Sequence, residues 1–274
     1  HSLIEFESSL RQALRRNEFE LHYQPRVDLG SGRIVGLEGL IRWRHPERGL
    51  LGPGEFIPLA EETGLIVPMG YWVIARACHD LARMQKRGMA PVHVAVNMSF
   101  RQFQDSRLLS TVRRLLERTG IDPHWLEFEL TETAVMQQPE QVLMTMDGMT
   151  GLGLRFSLDD FGTGFSSFVH LHSLPINLLK IDRGFVKAIA ERSADRQLVG
   201  AMIEMGHSLG LEVVAEGVEQ REQLDILRSL GCDQVQGFFI SPALPFDELC
   251  YFMDAYQMGR DASPKESGVV RLMS

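Results

Sequence analysis

The sequence predicts an α/β fold, a closed barrel of eight strands ringed by helices, with its first strand inverted relative to the others. Three observations predict it. Eight short apolar segments read as strands, and the last six are each preceded by helix-compatible sequence, the alternation that produces parallel pairing. The first two strands are joined only by Asp28-Leu-Gly-Ser-Gly32. A parallel crossover needs about a dozen residues or more, so this pair must be an antiparallel hairpin. The length of 274 residues suits one barrel domain, for which about 250 is typical. A doubly wound open sheet is the alternative arrangement of the same elements.

In chain order, Leu3 to Arg16 has apolar residues at helical spacing with charges between them. Phe19 to Pro25 and Arg33 to Trp43 are the hairpin strands. Helical patterns over 55–64 and 70–87 lead to the strand Val92 to Val96, and a helix over 101–119 leads to Trp125 to Leu130. A helix over 138–150 precedes Leu154 to Leu158, and shorter helical material precedes Leu178 to Ile181. A long helical stretch over 184–209 leads to Leu211 to Ala215, and a helix over 219–230 leads to Gln234 to Phe239. The domain is expected over 1–259, and the polar stretch 260–274 reads as a disordered tail.

Composition is that of an ordinary globular domain, 44% apolar and 23% charged. A net charge of −8 argues against a sequence-independent grip on DNA or RNA duplexes. Any phosphate ester bound here must be neutralised locally. Cys78, Cys232 and Cys250 are widely spaced and read as reduced thiols, and the 13 methionines as core filling. No apolar run approaches the roughly 18 residues of a membrane span. The start at His1 suggests a piece of a longer protein, exposed to the cytoplasm even where the parent is membrane-anchored.

Metal-ligand residue types recur where the strands end. Asn97 follows Val-Ala-Val, Glu129 closes Glu-Phe-Glu, Asp159 and Asp160 follow Phe-Ser-Leu, and Glu216 follows Val-Val-Ala; Glu38 lies within the second strand. In parallel barrels that rim is where function is built. Carboxylates gathered there repel one another unless cations intervene. Oxygen ligands without a His or Cys cluster favour hard cations, Mg²⁺ or Mn²⁺. The chain turns at a strand end, so Asp159 and Asp160 can both reach one site, and one of them can bridge two metals suited to displacement at phosphorus. The loop Phe161-Gly-Thr-Gly-Phe-Ser-Ser167 has the glycines of a mobile lid. Lys180 projects toward the same rim, where it can orient or deprotonate a water. Gln24 and Arg42, on the hairpin, are placed to bind a phosphate or base. His170 and His172 fall in a short helix or loop and read as structural. No motif for covalent nucleophilic catalysis appears.

Taken together these residues resemble the EAL-domain family, bacterial phosphodiesterases that hydrolyse cyclic di-GMP to linear pGpG. The resemblance runs through Tyr23-Gln-Pro25, Glu38-Gly-Leu-Ile-Arg-Trp43, Phe56-Ile-Pro-Leu-Ala-Glu-Glu62, Asn97-Met-Ser99, Glu129-Leu-Thr-Glu132, Asp159-Asp-Phe-Gly-Thr-Gly164, Leu179-Lys-Ile-Asp182, Ala215-Glu-Gly-Val-Glu219 and Gln236-Gly-Phe-Phe239. It implies a modified (β/α)₈ TIM-like barrel with an antiparallel first strand. It implies one Mg²⁺ or Mn²⁺ held by Glu38, Asn97, Glu129 and Asp159, and a second at Asp159, Asp160 and Glu216. Catalysis would rest on Glu38, Lys180 and Glu216, with Lys180 positioning the attacking water. Gln236 would fix water or substrate nearby, Gln24, Leu40 and Arg42 would contact the dinucleotide, and Glu132 and Glu219 would hold the glycine loop in shape. The resemblance also implies a homodimer and a parent chain with further sensory or cyclase domains. The alternative is a catalytically silent receptor for the same dinucleotide, expected to lack a ligand or the lysine; all are present here. The signature departs from the family at Gly39, where alanine is usual, and at Phe165 and Phe238, where tyrosine is frequent.

Overall fold

The computed structural model describes residues 3–163 and 168–261. Helix α1 (Leu3–Ala13) leads into the hairpin β1 (Phe19–Asp28) and β2 (Ile34–His45), and the short β3 (Gly49–Leu51) pairs antiparallel with the end of β2. Then follow α2 (Ile57–Thr63), α3 (Ile66–Lys86), β4 (His93–Asn97), α4 (Phe100–Phe103), α5 (Leu108–Thr119), β5 (Leu126–Thr131), α6 (Glu132–Gln137), α7 (Pro139–Thr150) and β6 (Arg155–Phe161). The second half holds α8 (Phe168–Ser173), β7 (Leu178–Ile181), α9 (Arg183–Val186), α10 (Ser193–Ser208), β8 (Glu212–Ala215), α11 (Arg221–Ser229), β9 (Gln234–Gln236), β10 (Leu244–Pro245) and α12 (Phe246–Asp261).

The sheet closes through β1, which pairs antiparallel with both β2 and β9. The neighbours from β2 through β4, β5, β6, β7 and β8 to β9 are parallel. The expected barrel with an inverted first strand is therefore present, and the open doubly wound sheet is not. The hairpin turn is built as its composition suggests: the Asp28 carboxylate accepts from the Ser31 amide at 2.6 Å, and Gly32 takes the left-handed φ of 65°.

Strand alternation sorts β2 into two faces. Leu37, Ile41 and Trp43 are buried outward against the helices, whereas Glu38, Leu40 and Arg42 face the barrel mouth. Helix α3 covers the sheet through Met69, Val73, Ala77, Leu81 and Met84, spaced by three and four residues. Among the described residues no helix is long and apolar enough to cross a membrane.

Several boundaries differ from the sequence reading. The helix expected over 101–119 is two helices, α4 and α5, because the Asp105 side chain ties down Arg107 through its backbone amide at 3.0 Å and its guanidinium. The stretch 184–209 is likewise divided into α9 and α10. The last barrel strand stops at Gln236 rather than Phe239. At Gly237 the chain passes so close to Val218 that a Cβ would lie 2.1 Å from its carbonyl oxygen, and the backbone turns away. Helices α6 and α12 were not anticipated. The latter runs to Asp261, past the expected domain limit at 259, and the rest of the expected tail lies outside the described residues.

Candidate active site

The site forms at the C-terminal ends of the parallel strands, as strand register dictates. In β4 and β5 Asn97 stands beside Glu129, and in β1 and β2 Gln24 stands opposite Glu38. Lys180, on β7, is fully buried among acids. Its Nζ lies 2.7 Å from Glu129, 2.8 Å from Glu216, 3.3 Å from Glu38 and 3.8 Å from Asp159. Glu38 accepts from Asn97 Nδ2 at 2.9 Å on one oxygen, and from Gln236 Nε2 at 2.7 Å on the other. Gln236 Nε2 also donates to Gln24 Oε1 at 2.9 Å, so Gln24, Gln236 and Glu38 form one chain of polar contacts.

Asp159 and Asp160 reach the site together because the end of β6 is not a regular strand. Its register against β7 shifts between Leu158 and Phe161, and Asp160 has a left-handed φ of 54°. A bulge of this kind re-aims side chains that would otherwise point to opposite faces. A non-glycine residue there carries backbone strain of roughly 1–3 kcal/mol. The Asp160 amide donates back to Asp159 Oδ1 at 2.8 Å. Carboxylate oxygens of Asp159, Asp160 and Glu216 all lie within 4.8 Å of one another, a spacing that suits one metal ion. Asp159 thus belongs to this trio and also to the ring around Lys180.

The electrostatics follow from crowding. Burial pulls the Lys180 ammonium down, but Asp159, Glu129, Glu216 and Glu38 outweigh it and hold it well above the ordinary lysine range. Burial pushes Glu38 up, yet Lys180 and the hydrogen bonds from Asn97 and Gln236 more than offset this and hold it down. Glu129 is driven well above the usual carboxylate value by burial and by the Glu38 charge, despite Lys180. Glu216 is pushed up to about 8, and Asp160 to about 6, chiefly by burial and then, for Asp160, by the neighbouring Asp159. One ammonium does not neutralise this set, and Glu129 Oε1 is buried without a hydrogen-bond partner. An all-oxygen donor set with surplus negative charge fits hard divalent cations.

Further members of the site escaped the sequence reading. Arg26, on the inward face of β1, is fully buried and pairs with buried Glu127 at 2.9 Å, while its Nη1 lies 3.9 Å from Glu129. Gly36 makes room for it, since a Cβ there would meet the guanidinium at 2.5 Å. The alternation of Gln24 with Arg26, and of Glu127 with Glu129, was the available signal. Asp182 follows Lys180 by two residues. It accepts from the Gly184 amide at 2.8 Å, starts α9, and adds to the charge that raises Asp160.

Two cavities flank the acids. One of about 350 Å³ is lined by Gln24, Leu40, Arg42, Glu219 and Gln236 among others. A larger one of about 660 Å³ extends past Asn97 toward α2 and α3. Arg42 is half-buried and donates to the Ile41 carbonyl at 3.0 Å. Glu132 is buried and accepts from the Gly162 amide at 3.2 Å, so it contacts the start of the glycine loop. The exposed Glu219 lines the smaller cavity and makes no side-chain contact with the described part of that loop. Gly164–Ser167, and with them Phe165, lie outside the described residues, whereas Phe238 is 70% exposed beside the smaller cavity. His172 is exposed, and the side chain of His170 lies outside the described residues.

Comparison with known proteins places this geometry in context. Residues 7–243 match the family model described as the EAL domain. MucR of Pseudomonas aeruginosa, named a bifunctional diguanylate cyclase/cyclic di-GMP phosphodiesterase, is 43% identical over 240 residues, 88% of this chain and 35% of that protein. NbdA of the same organism, named a cyclic di-GMP phosphodiesterase, is 43% identical over 261 residues, 95% of this chain and 33% of that protein. The chain therefore spans about a third of the length of these curated relatives. Among solved structures, a MucR phosphodiesterase in complex with cyclic di-GMP matches with a TM-score of 0.86 at 42% identity, covering 89% of this chain and 99% of that one. The FimX EAL domain of Xanthomonas citri, also in complex with the dinucleotide, matches with a TM-score of 0.81 at 27% identity, covering 88% and 94%. The inverted-strand barrel, the acids at its rim and the match across most of the sequence lead to one conclusion: this chain belongs to the EAL domain family.

Proposed function

We propose that the chain is a metal-dependent phosphodiesterase that hydrolyses cyclic di-GMP to linear pGpG. The observation that carries this reading is the convergence of Glu38, Glu129, Asp159 and Glu216 on the buried Lys180, with Asp160 and Asn97 alongside. The family relatives named for this activity, and the structure of one of them with the dinucleotide, support the choice of substrate.

In this reading Glu38, Asn97, Glu129 and Asp159 would hold one Mg²⁺ or Mn²⁺, and Asp159, Asp160 and Glu216 would hold another. Bound there, the cations supply Lewis-acid activation of water and neutralise charge at phosphorus. The remaining work belongs to the protein. Lys180, within 2.7–3.8 Å of Glu129, Glu216, Glu38 and Asp159, positions the attacking water among the acids. Gln236 and Gln24 keep Glu38 in place, and with Leu40 and Arg42 they face the dinucleotide across the smaller cavity. Glu132 supports the loop at Gly162, and Glu219, which lines the smaller cavity, has the same supporting role only through the family resemblance. The reaction adds water across one P–O bond: water oxygen bonds to phosphorus, the bond to a ribose 3′ oxygen breaks, and that oxygen leaves with a proton.

A homodimer, and a longer cytoplasm-facing parent chain with sensory or cyclase domains, belong to the same proposal. The deciding experiment is incubation of the purified chain with cyclic di-GMP and Mg²⁺ or Mn²⁺, with and without chelator, followed by separation of the products. The reading predicts pGpG only when the metal is present. Tight binding without turnover points to a receptor, and neither binding nor turnover points to a different phosphate ester.

A further inference from the structure

We propose that Arg183 is a specificity-determining cation that pairs with the second, uncleaved phosphodiester of the bound cyclic dinucleotide; this rests on the function proposed above. The two cavities share four residues, Glu38, Leu40, Asp160 and Arg183, which together mark the seam between them. A cyclic dinucleotide carries two bases outward from one ring that contains both phosphates. Two lobes joined at a seam match that shape, with a base in each lobe and the ring at the seam.

The ring brings two negative charges into a site that is already acidic. The acids and their cations account for the scissile phosphate, and the second phosphate requires a different positive group. Lys180 is fully buried and shared among four carboxylates, so it is not available. Arg42 lines only the smaller cavity and is turned to the Ile41 carbonyl. Arg183 is exposed and lines both cavities, and among the described residues it forms no ion pair. Its base is fixed: Asp182 starts α9 immediately before it, and its Cβ packs against Gly217, where an added Cβ would come within 2.4 Å. The long arm beyond that anchor is free to reach a phosphate, for which the guanidinium fork is well shaped.

Arg183→Ala keeps the Cβ that rests on Gly217. For cyclic di-GMP the variant is expected to raise KM about tenfold, the effect of one lost charge-assisted contact, and to leave kcat within about twofold. For bis(p-nitrophenyl) phosphate, a diester with a single phosphate, KM rises much less. Arg183→Lys recovers part of the affinity, and Mn²⁺ binding by the free protein matches wild type. An unchanged KM for cyclic di-GMP overturns the assignment, as does an equal loss on both diesters. Wild type that is inert toward the dinucleotide sinks the underlying function and this assignment together. Active wild type with an indifferent Arg183→Ala sinks the assignment alone.

Discussion

Replacing Lys180 by methionine removes the ammonium shared by four carboxylates at 2.7–3.8 Å while keeping a side chain of similar length. Lys180 is fully buried, so the acids it leaves behind have little water to turn to. Breaking a buried charge pair from one side costs about 3–5 kcal/mol, because the surviving charge is uncompensated. For a domain of this size that corresponds to a melting temperature lower by roughly 10 °C in chelator near pH 8. The deficit should shrink as the pH is lowered, since protonating one carboxylate does part of the lysine's work. Mg²⁺ or Mn²⁺ at a hundred times its Kd should stabilise either protein that binds it, by about 2.7 kcal/mol. Turnover should not return with stability, because no ammonium remains to orient the water. Differential scanning fluorimetry across pH and metal concentration, paired with product assays, measures all of this. A Lys180→Met protein that melts with wild type in chelator near pH 8 would refute the charge argument.

The same crowding gives the metal-free protein a pH dependence of definite sign. Glu216 is raised to about 8 and Asp160 to about 6 from ordinary values of 4.5 and 3.8, so the folded chain retains protons that the unfolded chain has released. Their contribution is present in full below those ordinary values and is lost as pH rises toward about 8; melts in chelator should fall over that window, and divalent cations should flatten the trend. Glu38→Ala removes the acceptor for Asn97, Lys180 and Gln236 and should lower kcat at least about 100-fold; full activity would end its assignment as a ligand. Arg26→Met leaves buried Glu127 with only the longer 3.9 Å pair to Arg155 and should cost about 3 kcal/mol in denaturant melts, most of which Arg26→Met/Glu127→Met recovers. Gly39→Ala should stabilise the chain by about 0.5 kcal/mol with little change in turnover, because the tightest contact of the new Cβ is the Leu21 side chain at 3.1 Å, which can yield, and the Ala95 carbonyl oxygen stays at 3.4 Å. A large destabilisation there would show that Leu21 is rigid.

The barrel was legible because its cues are local: the five-residue hairpin turn forbids a parallel second strand, and each later strand is a short apolar run behind a helix. The acids were legible for the same reason, since each stands at or near a strand end. The bulge at Asp160 was anticipated only as a turn of the chain; its positive φ depends on packing that no local pattern encodes. The break between α4 and α5 contains neither Pro nor Gly, and a helical period runs across it undisturbed. Arg26 and Glu127 went unread because charged residues on a strand suggest solvent, whereas the closed barrel turns that face inward and pairs them. Arg183 follows a recognised motif by one residue, and only the shape of the two cavities gives it a place. Substrate identity came from family resemblance, since a set of carboxylates does not by itself distinguish one phosphodiester from another.

The central claim is that the barrel rim is a cation site built for two ions that share Asp159. Titration of the metal-free chain with Mn²⁺, with free ion counted by electron paramagnetic resonance in the presence of a slowly cleaved phosphorothioate analogue of cyclic di-GMP, tests it most directly. The account predicts two bound ions per chain in wild type and fewer in Asp159→Asn. A wild-type chain that binds no Mn²⁺ at these residues would contradict it.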